Sequence, residues 1–443
     1  MPRFCILNTK KSSSFLKKAN PAGEFCAPAK EERRRMENVI GVAAEYNPFH
    51  LGHLYHLERS REMLGGGTLV CVMSGSFVQR GECAVFRKHA RAEAAVRAGA
   101  DLVLELPLPW ALSSAEGFAR GCVGLLGALG VVTHMSFGAE CADLRQLSAV
   151  ATALCDPEVD AMIGEELQAG DSYAAARQRA LQRALGGELA ELVREPNNIL
   201  AIEYLKALDT QRLSITPIVV ERLGTGHDRM SAPESDAPRA ARELRALLAA
   251  GQDISAFLPE AAAEVYRRET EQGRGPVTMQ ALEMALLARL RGLAEADFAA
   301  LPDASEGVEK RLYRAAATEP SFDAVLAAAA VKRYPLSRLR RMLLGAALGL
   351  RAGQADGIPP YARVLAANAA GTALLRRISE RAQIPVLTKS AAAKELDARG
   401  QEIFSLGAKA EDLYVLGFGA VAERAGSSDW RSSPYIEKGD AAR

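Results

Sequence analysis

Three of the six histidines crowd into one octapeptide, Phe49-His50-Leu51-Gly52-His53-Leu54-Tyr55-His56. His50 and His53 lie three residues apart, so in the first turn of a helix both rings face one side. Two imidazoles aimed at one α-phosphate can donate hydrogen bonds as charge builds during loss of pyrophosphate. Gly52 between them has no side chain and lets a nucleotide approach the backbone. A helix opening here would add free N–H groups and a positive end, both attractive to phosphate. Two other readings stay open. A metal could take His50, His53 and His56, although three-residue steps splay the set by about 120° and no carboxylate nearby completes it. The three could also form a plain polar helix face, for which a glycine between histidines at a strand–helix junction is unusual.

The surrounding pattern supplies that junction. Val39–Ala44 reads as a strand, and Leu54–Met63 has helical spacing that ends at Gly65-Gly66-Gly67. Thr68–Ser74 is a continuous apolar run, as in a strand covered on both faces. The alternation continues through a helix over Arg87–Ala98, a strand over Asp101–Leu106, a helix over Ser113–Leu129 and a strand over Val131–Phe137. Strands alternating with helices of a dozen residues predict an α/β fold with a Rossmann-like parallel sheet. Ligands of such sheets sit at the carboxyl ends of the strands. Those ends are the unusual segments here: Glu45–His53, Ser74–Gly81, Glu105–Pro109 and Gly138-Ala139-Glu140.

With 443 residues, two domains are the natural expectation. A formal net charge of +1 gives no global signal for nucleic acid, so any such site must be a local patch. Residues 1–37 carry nine Lys/Arg against four Asp/Glu and read as a basic, disordered tail, the alternative being a targeting or RNA-binding arm. Seven cysteines without C-x-x-C spacing argue against a zinc ribbon or a disulfide framework and fit a reducing cytoplasm. No run of 18 apolar residues is present, so no membrane span is expected.

The run Ala43-Ala44-Glu45-Tyr46-Asn47-Pro48-Phe49-His50-Leu51-Gly52-His53-Leu54-Tyr55-His56 contains a segment, from Glu45 onward, that closely resembles the opening of the tRNA(Met) cytidine acetate ligase family. More broadly it is similar to H-x-G-H nucleotidyltransferases and class I aminoacyl-tRNA synthetases. Further segments share the resemblance: Met73–Glu82, Asp101–Pro107, Phe137–Glu140, Pro196–Leu200, Tyr334–Arg341 and Pro359–Leu365. The resemblance implies a two-step reaction. Acetate attacks the α-phosphate of ATP to give acetyl-adenylate and pyrophosphate, and the N4 amine of the wobble cytidine in elongator tRNA(Met) then takes the acetyl group. It further implies that the loop from Ala43 to His56 wraps ATP, accompanied by Mg²⁺, with His50 and His53 catalytic. Gly138 would give the nucleotide room, and Asn197 and Arg222 would complete its contacts.

Each of those last residues has its own physical reading. Asn197 opens a helix, where hydrogen bonding to adenine or ribose competes with a capping role. Arg222 follows the strand-like Ile215–Val220 and precedes Gly224-Thr225-Gly226-His227-Asp228, so phosphate contact competes with an exposed ion pair. Arg80 and Lys88, just past the second strand, are weaker candidates for phosphate or acetate. One departure stands out. The Ser/Thr-rich helix start that binds β- and γ-phosphates in H-x-G-H enzymes corresponds here to Ala240-Ala241-Arg242-Glu243-Leu244-Arg245, which lacks hydroxyls. Arg242 or Arg245 would have to substitute by charge.

After about Gly251 the strand signal fades into Ala/Leu-rich helical stretches, predicting a mainly helical domain over 251–443 after an ATP-binding domain over 38–250. Lys332, Arg333, Arg338 and Arg341, with Arg340 and a stackable Tyr334, form the densest basic cluster outside the tail. Such a patch could hold an RNA backbone, and a solvated helix face is its bland alternative. Two rivals to the ligase stand: a nucleotidyltransferase acting on a small phosphorylated metabolite, and a catalytically silent nucleotide- or RNA-binding protein. The oligomeric state is left open.

Overall fold

The computed structural model describes residues 38–222, 240–331 and 333–438. The basic tail, Lys332 and the Gly224–Asp228 stretch lie outside them.

The alternation read from the sequence becomes one eight-stranded sheet. Its strands are β1 (Val39–Ala44), β2 (Thr68–Ser74), β5 (Leu102–Leu106), β6 (His134–Ala139), β7 (Thr216–Glu221), β8 (Ala362–Ala367), β9 (Val386–Leu387) and β10 (Tyr435–Ile436). β3 (Phe77–Val78) and β4 (Glu82–Cys83) form a separate small hairpin. The order is β10-β8-β5-β2-β1-β6-β7, with β9 beside β8. From β5 to β7 every pairing is parallel, and β8 runs antiparallel to β5. The chain winds outward from β1 through β2 to β5, then returns to the other side of β1 as β6. The switch point, where an open α/β sheet parts to make a crevice, therefore lies between β1 and β6.

The strands are apolar on both faces because helices cover both. β2 is buried at every residue. On one face it packs with α3 (Ala115–Ala128), whose N-cap Ser114 side chain accepts from the Gly117 amide. On the other face lie α1 (Leu51–Met63) and α2 (Lys88–Arg97). A second apolar cluster, with Leu286, Phe298, Leu312, Val325 and Leu343 buried, fills the helical part between about 277 and 350.

The expected fading of strand signal after Gly251 needs correction. β8 inserts beside β5 with all six residues buried, so the sheet draws on chain well beyond residue 250. Its sequence, Ala-Arg-Val-Leu-Ala-Ala, is covered on both faces and so lacks the alternation that marks a half-exposed strand. The boundaries of α1 and β6 also differ. α1 starts at Leu51 rather than Leu54 because His50 caps it, and β6 runs His134–Ala139 rather than Val131–Phe137.

Candidate active site

The loop between β1 and α1 is held from all sides. Tyr46 has a left-handed backbone (φ 47°) and is 2% exposed, a conformation a bulky residue keeps only where its surroundings enforce it. Its hydroxyl meets the Cys71 thiol at 3.3 Å. The Phe49 amide donates to the Tyr266 hydroxyl at 2.9 Å, the Val85 amide donates to Asn47 Oδ1 at 2.8 Å, and Arg245 Nη1 donates to the Asn47 carbonyl at 3.0 Å. Buried Arg91 spreads its guanidinium over the carbonyls of Glu45, Ser74, Gly75 and Phe86, tying together the carboxyl ends of β1 and β2.

His50 is the N-cap of α1: its Nδ1 accepts from the Gly52 amide at 3.0 Å. His53 Nδ1 in turn accepts from the His50 amide at 3.3 Å. The pair reproduces a capping box with imidazoles in place of hydroxyl and carboxamide. A backbone N–H only donates, so both Nδ1 atoms carry lone pairs and each neutral ring holds its proton on Nε2. The ring centroids are 3.9 Å apart, and His53 also contacts Tyr46 edge-on. Burial first, and then the positive charge of Arg222, lower the His50 pKa to about 4. Burial and the cations around it push His53 well below the usual histidine value. Both rings are therefore neutral donors at neutral pH.

His56 is fixed differently. Ser60 Oγ donates to the His56 carbonyl at 2.6 Å, which uses its one proton. Ser136 Oγ, 2.6 Å away, must then donate to Ser60, and His56 Nε2 donates to Ser136 at 2.9 Å. This chain pins α1 to β6, with the His56 pKa lowered to about 4 by burial and then Arg222.

Across the switch point, β6 continues from Ser136 to Gly138 on the same face. A Cβ on Gly138 would stand 3.4 Å from Arg222 Cγ, so the glycine keeps the crevice open beside that guanidinium. Arg222 extends the β7 pairing through its amide, which donates to the Ala139 carbonyl at 3.1 Å. Next comes Glu140, whose carboxylate accepts from the Asn197 amide at 3.3 Å, from Asn197 Nδ2, and from the Asn198 amide at 2.8 Å. It thus occupies the positive end of α4 (Pro196–Thr210). Asn197 is not a cap: Glu195 is the N-cap residue, without a side-chain bond, and Glu140 accepts the orphan amides instead.

Residues 43–56, Gly138, Asn197 and Arg222 thus gather around the β1–β6 crevice. Within the loop, Ala44, Tyr46, Asn47, Phe49 and His50 are buried and Leu51 is 40% exposed. Burial raises the Glu45 pKa, opposed by the Gln79 amide that donates to its carboxylate at 2.8 Å.

The weaker candidates fare differently. Lys88 is buried, with Nζ 2.8 Å from both Glu105 and Asp429, so it is committed to an internal ion cluster rather than to a ligand. Arg80 is exposed. Arg245 bridges the Asn47 carbonyl and Glu82, so it supports the loop in this state, while Arg242 points to solvent. In the basic cluster, Arg333 pairs with Glu306 at 2.9 Å and Arg338 donates to Asp303 O and Ser305 while lying over the Tyr334 ring. Arg341 is half-buried at the edge of a cleft.

Sequence reasoning missed Arg91, Tyr266 and Ser136 as supports. Arg91 looks like one more residue of an Ala-rich helix, and Tyr266 lies 217 residues from its partner. Glu140 was visible only as a strand end.

Known proteins carry the same arrangement. The HIGH Nucleotidyl Transferase family matches residues 36–429. The tRNA(Met) cytidine acetate ligase of Acetivibrio thermocellus is 36% identical over 85% of this chain and 94% of its own, and that of Syntrophomonas wolfei is 35% identical over 89% and 99%. The crystal structure of Thermotoga maritima TmcAL bound with alpha-thio ATP superposes with a TM-score of 0.84 at 33% identity, covering 90% of this chain and 99% of that one. Identity of this extent, over the sheet, the histidine loop and the helical part together, places the chain in the tRNA(Met) cytidine acetate ligase family of HIGH nucleotidyl transferases.

Proposed function

We propose that this chain activates acetate with ATP and transfers the acetyl group to N4 of the wobble cytidine of elongator tRNA(Met). A carboxylate oxygen of acetate attacks the α-phosphorus, the bond to the bridging oxygen of pyrophosphate breaks, and acetyl-adenylate forms. The cytidine amine then attacks the acetyl carbonyl, AMP leaves, and one proton is released as the N4 amide forms.

The observation that carries this reading is the pair of neutral imidazoles held by backbone amides at Nδ1, each leaving an Nε2–H to donate. Such preset donors stabilise charge at the α-phosphate without reorganising, each on the order of 3 kcal/mol. Arg222 adds positive charge beside the rings, and Gly138 leaves space for the nucleotide. Residues 43–56, Asn197 and Arg222 bind ATP in this reading. Mg²⁺ travels with the triphosphate, and among the described residues no group of three or more His, Cys, Asp or Glu gathers to hold a metal by itself. No helix among the described residues is long and apolar enough to cross a membrane, and a cytoplasmic setting accords with tRNA and ATP as substrates. Lys332, Arg333, Arg338 and Arg341 are the proposed RNA contacts in the helical part.

The test is pyrophosphate release from ATP with and without acetate and tRNA, together with His53→Ala. Acetate-dependent release lost in the variant, with label from acetate on the tRNA, is the expected result. Release triggered instead by a phosphorylated metabolite would overturn it in favour of a different nucleotidyltransferase. ATP binding without any release would leave a silent binder.

A further inference from the structure

A second cavity opens at the seam between the sheet and the helical part, lined by no residue of the histidine loop. It is a cleft of about 210 Å³ between the start of α3 and α5 (Leu336–Leu348). Leu112, Leu301, Met342 and Leu350 make its wall apolar. Arg341 faces it from α5, with an Nε that is sealed from solvent and has no hydrogen-bond partner among the described residues. A buried guanidinium N–H without an acceptor is costly, which is why such groups are nearly always paired.

The other charges in the cleft stand at its mouth. Glu116, Asp303 and Asp356 are exposed acceptors, and Arg351 is an exposed donor. A phosphate chain lying across this mouth would meet three carboxylates. A flat ring entering it would find an apolar wall to stack on, a donor inside and carboxylate acceptors at the edge. That set of partners suits an unstacked nucleobase bearing both an amine and an acceptor edge.

The cleft is also mechanically joined to the ATP loop. Gln79 donates its amide to Glu45 and its side chain to the Ser113 carbonyl, 3.4 Å away at the lip of the cleft. Two residues on, Gly81 has φ 76°, and a Cβ there would come within 2.8 Å of the Arg341 amide, so this strap lies directly on α5.

We propose that this cleft receives one unpaired, amine-bearing base of the RNA substrate, distinct from the base that is acetylated, with Arg341 donating to its acceptor edge. The proposal rests on the acetate ligase reading for the identity of the RNA, but it concerns binding and is read separately.

The experiment uses the full chain and a tRNA series in which each unpaired base is replaced, one at a time, by an abasic nucleotide. KM for tRNA in acetylation and Kd for tRNA in direct binding are measured for wild type, Arg341→Met and Gly345→Val. Gly345 lines the cleft, and its added Cβ meets only ordinary contacts at 3.5 Å or more, so the valine narrows the space without clashing. Both variants are expected to weaken tRNA binding by about 5- to 150-fold, the range for one well-made base contact. One abasic position should cost wild type a similar factor and cost Arg341→Met little more, because the contact is already lost. Variants within twofold of wild type in Kd would overturn the proposal. So would a loss that is the same for every abasic RNA and only flattens the salt dependence, which marks a phosphate contact. If wild type binds tRNA with this base dependence yet transfers no acetyl group, the ligase reading fails and the cleft stands.

Discussion

The two histidines combine a structural and a chemical role, and substitutions can separate them. His50 caps α1 through Nδ1, whereas its proposed catalytic donor is Nε2–H. Asparagine at position 50 keeps an acceptor suited to an N-cap but loses the ring donor. Alanine loses both. Replacing a capping side chain by alanine costs about 1 kcal/mol, so His50→Ala should be less stable by that amount and His50→Asn should stay within about 0.5 kcal/mol of wild type. Both should lose about 100- to 1000-fold in adenylate formation, the effect of removing one preset donor. His53→Gln extends the test, because glutamine at this third helical position also reaches back to the cap amide. Stability is read from urea unfolding and the rate from single-turnover pyrophosphate release. Wild-type rates in His50→Asn would remove the donor role, and equal stability of His50→Ala and wild type would remove the cap. A rate loss that simply follows the stability loss across all three variants would refute the separation altogether.

Other outcomes follow from the same contacts. Arg91→Met strips the donor from four carbonyls at the ends of β1 and β2, and should cost on the order of 4 kcal/mol or more; a urea midpoint close to wild type would contradict the stapling role. Asp429 accepts from Lys88 and Arg363, both at 2.8 Å; burial alone would raise its pKa, but these two cations hold it below the usual carboxylate range. Asp429→Asn should therefore cost about 3–5 kcal/mol and expose the segment around 425–436 to protease, which limited proteolysis would detect. Finally, His50 and His56 have folded pKa values of about 4 against about 6.5 unfolded. Between those pH values the unfolded chain takes up protons that the folded chain refuses. Stability should thus fall as pH drops from 6.5 to 4, by about 3 kcal/mol for His50, and His50→Asn should show a shallower fall by one proton.

What was legible in the sequence was local. The β1–α1 handover, the H-x-G-H spacing and the glycine at 138 are written within a few residues of one another, and periodicity located their strands and helices. The supports were not legible, because Tyr266, Arg91 and Arg245 act across long separations and nothing in their own segments differs from an ordinary helix. β8 escaped because a strand buried on both faces and rich in alanine has neither alternation nor β-branched enrichment. The basic cluster read as one patch divides on folding: Arg333 and Arg338 close a nearby loop, while Arg341 turns inward. Sequence spacing alone does not reveal which side of a helix meets a neighbour.

The late arrival of β8 sets a schedule for biosynthesis. β5 leaves the ribosome some 250 residues before β8 does, which at about 5–20 residues per second is roughly 13–50 s of elongation. Through that interval β5 offers an unpaired apolar edge, the kind of surface that recruits other chains into aggregates. The Lys88 cation waits longer still, since Asp429 and Arg363 are among the later residues to emerge. A nascent chain can assemble the β1–β6 crevice early, but its sheet is closed only near the end of its own translation. Chaperone dependence, and sensitivity to slowed codons between 107 and 361, are the cellular marks this order of assembly would leave.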